Sequence, residues 1–154
     1  MPYPVWTSTQ YPMCWISTPS KCVQFKSLFF SKIDLLCAFH QIPVVENDIP
    51  KTEMMTPFGL FEYPFMNFGF RNAAQSFQHF MDRVVRGLGI VVMHTDDILV
   101  ASSSPWQHME HHQQVLSHLQ DHGLKIHPNK CIFGAPSVDF LGHRVTTAGL
   151  EPLP

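Results

Sequence analysis

The sequence lacks a strong excess of charge of either sign. Its 154 residues carry 10 basic and 12 acidic side chains, a formal net charge of −2 with histidine neutral. Dedicated nucleic-acid binders usually show a basic excess, so such a role would have to rest on a local patch or on bridging metal ions. The sequence also lacks an apolar run long enough to span a membrane and a basic-then-apolar N-terminus typical of a signal peptide. We therefore expect an intracellular protein, cytoplasmic or nuclear, with no membrane partner.

Cysteines are few and scattered. The four cysteines, at positions 14, 22, 37 and 131, form no C-x-x-C pair. This spacing argues against a zinc finger or a disulfide framework and indicates reduced thiols. Internal repeats and low-complexity tracts are absent too. The apolar content of 45% is sufficient for one domain with a substantial core.

Residues 1–28 differ in composition from the rest of the chain. Four prolines stand there among serine, threonine and isolated aromatic residues, without helical or strand periodicity. This composition predicts an irregular, poorly ordered segment. From Phe29 the pattern becomes regular, and residues 29–154 are predicted to form the folded domain.

Apolar runs separated by turn signals predict several strands. One of them ends on Asp34, and another pair flanks Asp96 and Asp97 as a tight hairpin. The predicted strands lie at residues 29–34, at 52–56 and 60–63 around a Pro-Phe-Gly turn, on both sides of the Asp pair within 90–100, and at 131–133 and 138–145.

Caps and periodicity predict two amphipathic helices. The first begins after Asn72, which forms a capping box with Gln75, and runs to about residue 88. The second begins after Ser104 and ends at Gly123. Its predicted apolar stripe consists of Trp106, Met109, Leu116 and Leu119. An antiparallel sheet with both helices packed on one face satisfies this order most simply, as a two-layer α+β domain.

Asp96 and Asp97 stand side by side in an otherwise apolar run. Two like charges at a hairpin tip are costly unless a cation compensates them, and a divalent metal ion suits paired carboxylates. Asp34 becomes a third ligand if its strand lies beside the hairpin. The pattern predicts a site for Mg²⁺ or Mn²⁺, and such ions in pairs catalyse in-line phosphoryl or nucleotidyl transfer. The alternative is that the two aspartates only form the turn.

Histidines are concentrated in the second predicted helix. His108, His111 and His112 share one face at i, i+3 and i+4, a spacing that can bind zinc. The alternative, which we take as the default, is a solvated polar face of an amphipathic helix.

Several short blocks occur in a fixed order along the regular part of the chain. They are FSKIDL (30–35), FHQIP (39–43), IPKT (49–52), TPFGLFE (56–62), FGFRNAA (68–74), DDIL (96–99), PNKC (128–131) and DFLGH (139–143). Together they resemble the reverse transcriptases of gypsy-type LTR retrotransposons, in register from about residue 29 to 154. An ordered set of blocks is far more specific than any one of them.

The resemblance implies a polymerase palm in which Asp34, Asp96 and Asp97 are the catalytic acids. Asp34 and Asp96 would be the main ligands of two Mg²⁺ or Mn²⁺ ions. The nucleotide-binding residues that it implies are Leu35, Ala38, Phe39, Phe68, Gly69 and Arg71. The residues that it implies for primer and template contact are His94, Thr95, Phe140, Leu141, Gly142 and His143. The implied partners are an RNA or DNA template-primer and deoxynucleoside triphosphates.

Ordinary structural roles remain open for some of these residues. Phe39 and Phe140 also fit core packing, and Arg71 also fits a solvated charge at a helix start. His94 replaces the aromatic residue that the family places before the Asp pair. A metal-dependent phosphohydrolase is a further alternative, for which His94 is the only ordered candidate base.

The resemblance is weak in residues 1–28, and residues 1–154 contain no segment that resembles a thumb, connection or ribonuclease H domain. We therefore expect a reverse transcriptase fragment with incomplete fingers and little or no activity as an isolated chain. The alternative is a catalytically silent remnant that binds nucleic acid or a protein partner. Such a partner would cover the apolar surface predicted at Phe58, Phe61, Phe65 and Phe68.

Overall fold

Strand β1 (Phe29–Asp34) lies inside the largest sheet of the computed structural model, which describes residues 27–154. It pairs antiparallel with β5 (Asp97–Ser102) on one side and with β6 (Ile132–Ala135) on the other. Strand β4 (Val91–His94) pairs with β5, so that the strand order is β4-β5-β1-β6. The irregular segment predicted for residues 1–28 lies, up to residue 26, outside the described residues.

Two helices cover one face of this sheet, as predicted. Helix α1 (Ala73–Val84) and helix α2 (Pro105–Asp121) pack on the odd-numbered side chains of β1 and their partners in β5. The shared core contains Ile33, Ile98, Val100, Phe77, Met81, Val84, Val115 and Leu119, each at most 2% exposed. The α+β class and the antiparallel sheet are therefore confirmed.

A three-stranded meander covers part of the opposite face. It consists of β7 (Ser137–Phe140), β8 (His143–Thr146) and β9 (Gly149–Pro152). Its buried side chains pack on the even-numbered side chains of β1 and their partners in β5. This second core contains Phe30, Val92, Leu99, Ala101, Val138, Phe140 and Val145.

The two strands predicted at residues 131–133 and 138–145 do not pair with each other, and the second of them is not a single strand. β6 pairs with β1 instead, and residues 138–145 contain the end of one strand, a turn and the start of the next. Sequence alternation shows that a segment is extended, but the partner is decided by which edge of which sheet is free.

The smaller elements connect β1 to the first helix. Strands β2 (Met54–Thr56) and β3 (Gly59–Phe61) form the hairpin predicted around Pro-Phe-Gly. Short 3-10 helices occur in this connection at Ala38–Gln41 and Glu46–Thr52, and another, Pro128–Lys130, lies between α2 and β6. No helix in the described part of the chain is long and apolar enough to cross a membrane.

The two helix caps behave differently. The Ser104 side chain accepts a hydrogen bond from the Gln107 N–H at 3.3 Å, as predicted for the cap of α2. The Asn72 side chain makes no cap hydrogen bond, so the predicted capping box of α1 is wrong. α1 also ends earlier than predicted, at Val84, because Val85 leaves the helical conformation.

The apolar stripe predicted for α2 is largely wrong. Trp106 is 81% exposed and Met109 is 66% exposed, whereas the buried face carries His108, Val115 and Leu119. The default interpretation of the histidines as a solvated face fails for the same reason, since His108 is only 6% exposed. The sequence shows apolar residues on two sides of the helix, and packing selects the side with the histidines.

These histidines enter a hydrogen-bond network with two buried serines of the sheet. Ser31 Oγ lies 2.7 Å from His108 Nε2 and 2.6 Å from His112 Nε2. Ser102 Oγ lies 2.8 Å from His108 Nδ1 and 2.7 Å from His111 Nδ1. A hydrogen-bond network of this kind positions α2 on the sheet more specifically than apolar packing alone.

The network predicts a pH-dependent stability. Burial, and after it the neighbouring His108 and His111, lowers the pKa of His112 to about 4. Because this value lies below 6.5, the unfolded chain binds the proton more tightly than the folded one. The contribution of His112 is therefore fully present above pH 6.5 and is lost as the pH falls towards about 4.

This effect is measurable as the difference in unfolding free energy between the wild type and His112→Gln. Urea titrations followed by circular dichroism should give a difference that changes between pH 6.5 and 4 and is constant above pH 6.5. A difference that does not vary with pH would contradict a neutral, partly buried His112 in the folded chain.

The helix-side core predicts a large loss of stability on truncation. Phe77 is fully buried between β1 and α1, so Phe77→Ala should lower the unfolding free energy by about 3–5 kcal/mol. The matched control is Phe58→Ala, because Phe58 is 93% exposed and its truncation should cost almost nothing. Urea unfolding of both variants measures the two losses of unfolding free energy. Equal losses would contradict the position of Phe77 in the core.

Candidate functional site

Asp34 and Asp97 lie directly opposite one another where β1 and β5 meet the hairpin. The register pairs Asp34 with Asp97, and it pairs His94 of β4 with the same Asp97. Opposed residues of an antiparallel pair have Cβ atoms about 4.5–5.5 Å apart. The sequence predicted that Asp34 would lie near the Asp pair if its strand were next to the hairpin. β1 does pair with β5, so the two acids are neighbours.

Asp96 occupies the hairpin tip beside this pair. Its backbone carbonyl accepts a hydrogen bond from the Leu35 N–H at 3.0 Å, which attaches the tip to the residue after Asp34. Asp96 is exposed, whereas Asp34 and Asp97 are half-buried. Three carboxylates therefore lie together at one end of the paired strands β1 and β5.

Lys32 is the cation nearest to these acids. Its Nζ lies 3.2 Å from Asp97 Oδ1, and both side chains are 23% exposed. Lys32 and Asp34 are two positions apart on β1, so they point to the same face of the sheet. The ion pair offsets part of the repulsion that the opposed carboxylates would otherwise exert. In the sequence, Lys32 stands out only as part of the FSKIDL block, and its ion pair with Asp97 was not predicted.

The tip of the β4–β5 hairpin has an unusual backbone. Thr95 has φ 54°, a left-handed conformation that is rare for a β-branched residue. Its N–H lies 3.3 Å from Gln78 Oε1 of α1, and its hydroxyl lies 3.2 Å from His94 Nδ1. Such strain persists only where the surroundings enforce it, and it is common at functional sites.

A second tight turn holds the residues predicted to contact the primer. Phe140 pairs with His143, and the two residues between them, Leu141 and Gly142, have φ 51° and 74°. Two positive φ values in a two-residue loop are typical of a type I′ hairpin. Phe140 is buried in the second core, so its alternative role in core packing is confirmed, while the other three are exposed.

Next to this turn, Asp139 and Arg144 form an exposed cross-strand ion pair. Arg144 Nε lies 2.9 Å from Asp139 Oδ1. The hydrogen bond from Arg144, together with the charge of Lys32, lowers the pKa of the Asp139 carboxyl. The charge of Lys32 contributes least to this shift, and the contact of Lys32 is with Asp97.

The six residues predicted to bind nucleotide divide into buried and exposed groups. Leu35, Ala38 and Phe39 are buried, and the Phe39 ring packs on Phe77 with centroids 4.9 Å apart. The Phe39 ring also contacts the ring of Phe68, with centroids 4.7 Å apart. Phe68 is exposed, so this one exposed residue of the six lies next to the buried ones. Gly69 and Arg71 are exposed as well, and no contact joins them to the acids in the described residues.

Cys131 is a neighbour of Asp34 that the sequence gave no reason to expect. The Asp34 N–H lies 3.5 Å from Cys131 Sγ. Both described cysteines, Cys37 and Cys131, are free thiols. Within residues 27–154, no three histidine, cysteine, aspartate or glutamate side chains are arranged to hold a metal ion together.

Comparison with known proteins assigns the chain to a family. The family model described as reverse transcriptase (RNA-dependent DNA polymerase) matches residues 6–145. The chain belongs to the reverse transcriptase family, whose members generally use divalent metal ions.

Curated relatives come from transposable elements and a virus. The chain is 40% identical over 131 residues to the retrovirus-related Pol polyprotein from transposon 297 of Drosophila melanogaster, covering 84% of the chain and 12% of that protein. It is 36% identical to polyprotein P3 of Commelina yellow mottle virus, covering 88% of the chain and 7% of that protein. The transposon Tf2-3 polyprotein of Schizosaccharomyces pombe is 35% identical, with 82% and 10% covered. The chain is thus a reverse transcriptase domain fragment, spanning about an eighth or less of these polyproteins.

Solved structures show the same fold. The foamy viral protease-reverse transcriptase in complex with RNA/DNA hybrid matches with a TM-score of 0.79 and 20% identity, over 84% of this chain and 18% of that one. The same foamy viral enzyme in complex with double-stranded DNA matches with a TM-score of 0.76 over 82% and 26%.

The Lys32–Asp97 pair predicts a link between stability and divalent cations. Lys32→Met should lower the unfolding free energy by about 1 kcal/mol in metal-free buffer, because Asp34 and Asp97 lose their compensating cation. Mg²⁺ should restore part of this loss. The control is Lys51→Met, which removes a more exposed pair with Asp48. Equal responses of the two variants to Mg²⁺ in urea titrations would contradict the assignment.

Proposed function

We propose that this domain carries the nucleotidyl-transfer site of RNA-directed DNA synthesis, with Asp34, Asp96 and Asp97 as its catalytic acids. The observation that carries the proposal is the β1–β5 register, which sets Asp34 against Asp97 with Asp96 at the adjoining tip. Membership of the reverse transcriptase family supports the same chemistry.

The carboxylates of these acids are suitable ligands for two Mg²⁺ or Mn²⁺ ions, since these cations prefer hard oxygen ligands. Asp34 and Asp96 would be the main ligands, because the Asp97 carboxylate is engaged by Lys32. Two such ions, when bound, activate the attacking primer hydroxyl and stabilise the departing pyrophosphate. Lys32 holds Asp97 in place and limits the charge that the edge of the sheet accumulates.

The remaining predicted residues would position the substrates. Phe39, held between Phe77 and Phe68, would limit the space beside the sugar of an incoming deoxynucleoside triphosphate. The exposed turn residues Leu141, Gly142 and His143 would contact the primer near its 3′ end, and His94 and Thr95 would contact it from the other hairpin. Hydrogen bonding of the His143 ring to the Leu141 carbonyl at 3.0 Å stiffens the first of these turns.

The isolated chain should be a poor catalyst even with this site intact. Phosphoryl transfer depends largely on positioning of primer and nucleotide, which contributes many orders of magnitude. The chain spans 12% or less of the length of its curated relatives, and we propose that other parts of such a polyprotein supply much of this positioning.

Single-nucleotide incorporation tests the proposal under conditions that favour a slow enzyme. The chain in excess over a labelled primer on an RNA template, with deoxynucleotides and Mn²⁺, should give trace extension. Asp96→Asn and Asp34→Asn should abolish it, because each removes a proposed metal ligand. Glu110→Gln, an exposed acid on α2, is the matched control and should extend as the wild type does.

Extension that persists in Asp96→Asn would overturn the assignment of the acids. No extension, from protein that circular dichroism shows to be folded, would favour the second candidate, a silent remnant that binds without turnover. Binding of an RNA/DNA hybrid that weakens steeply with salt would then identify nucleic acid as its ligand.

One observation favours a binding role beside or instead of catalysis. Phe58, Phe61, Phe65 and Phe68 are exposed by 93%, 52%, 48% and 69%. Exposed aromatic side chains in this number are costly in water and suit a surface that another molecule covers. We propose either a protein partner or stacked bases of a nucleic acid as the molecule that covers it.

A further inference from the structure

The tip of the β4–β5 hairpin has a backbone conformation that its own residues disfavour. The chain turns through Thr95 and Asp96, because His94 and Asp97 are the last paired positions of the two strands. Of the two turn residues, only Thr95 has a positive φ, at 54°. A positive φ at the first turn position alone is typical of a type II′ turn, where glycine is the usual residue. Threonine is strained at this position, so contacts from outside the turn have to hold it there.

Gln78 of helix α1 makes such a contact. Its Oε1 accepts a hydrogen bond from the Thr95 N–H at 3.3 Å. Its Nε2 donates to Asp82 Oδ1 at 3.1 Å, one turn further along the same helix. Because a carboxylate only accepts hydrogen bonds, Asp82 fixes which end of the amide faces the hairpin. The amide oxygen is therefore directed at Thr95 and cannot rotate away without losing the bond to Asp82.

The helix that carries Gln78 is firmly packed. Phe77, the residue before it, and Met81, almost one turn later, are fully buried in the helix-side core. Gln78 itself is half-buried. A second contact, from the Leu35 N–H to the Asp96 carbonyl at 3.0 Å, attaches the tip to the end of β1. The tip is thus held from two directions, by a helix and by the central sheet.

We propose that Gln78 is a positioning residue of the nucleotidyl-transfer site and acts on Asp96 through the backbone of Thr95. The inference rests on the proposed function, in which Asp96 is a main metal ligand. A change of φ at Thr95 would turn the Asp96 carboxylate relative to Asp34. Sites of this kind need their groups held within about 0.5 Å. Loss of an outer contact that orients a metal ligand typically lowers metal affinity by about 10–100-fold.

Titration of the whole chain with Mn²⁺, followed by the electron paramagnetic resonance signal of the free ion, tests this role. Gln78→Leu keeps a side chain of similar size and helix propensity but removes the acceptor, and it should weaken Mn²⁺ binding by about tenfold or more. Gln78→Asn, whose amide is one methylene too short to reach Thr95, should do the same. In hydrogen-exchange measurements by NMR, the Thr95 amide proton should lose its protection in both variants.

A second substitution, in the hairpin, separates positioning from helix stability. Glycine adopts a positive φ without strain, so Gln78→Leu combined with Thr95→Gly should recover most of the Mn²⁺ affinity. If Gln78 only stabilised α1, a change in the hairpin would restore nothing. Gln75→Leu is the matched control, because Gln75 is an exposed glutamine of the same helix. It should bind Mn²⁺ as the wild type does.

Asp96→Asn distinguishes failure of this inference from failure of the proposed function. Mn²⁺ binding that depends on Asp96 but is unchanged in folded Gln78→Leu and Gln78→Asn would overturn the inference and leave the acids as the metal site. The absence of rescue by Thr95→Gly would overturn it as well. Equal Mn²⁺ binding by the wild type and Asp96→Asn would overturn the proposed function, and the inference that rests on it would fail too.

Discussion

The antiparallel register between β1 and β5 is the constraint on which the site and both cores depend. It sets Asp34 opposite Asp97, directs Ile33 and Ile98 to the helices, and places Phe30 in the second core. A slip of one residue would send every one of these side chains to the wrong face. The repelling carboxylates are thus held in place by apolar burial along the same two strands, and Lys32 offsets only part of the repulsion.

Strand β1 carries polar side chains on both of its faces, and those on each face have polar partners or contact with solvent. Lys32 and Asp34 stand at the edge where solvent and the ion pair with Asp97 are available. Ser31 is fully buried on the other face and is acceptable there because the Gly134 N–H and two imidazoles reach it. Removing those partners would leave an unsatisfied hydroxyl in the core, which costs more than the hydrogen bonds contribute.

Several features that depend only on neighbouring residues were predicted correctly from the sequence. The bounds of β1, the β2–β3 hairpin and the Ser104 cap followed from alternation and turn chemistry, and the α+β class followed from their order. The buried face of α2 was not predicted correctly. Trp106 and Met109 repeat with a helical period but are exposed, because the sheet presents buried serines to this part of the helix and the histidines face them. The partner of β6 and the position of Lys32 beside Asp97 depend on which distant segments meet, and one sequence carries no signal for that.

The strand order also decides when the domain can form during synthesis. β1 leaves the ribosome early, but its two hydrogen-bonded neighbours come from residues 97–102 and 132–135. The β4–β5 hairpin and both helices need only short-range contacts and can form while β1 still waits for its partners. A strand with both edges unpaired is a template for association with other chains. Both edges of β1 are therefore paired only after residues 132–135 have been translated.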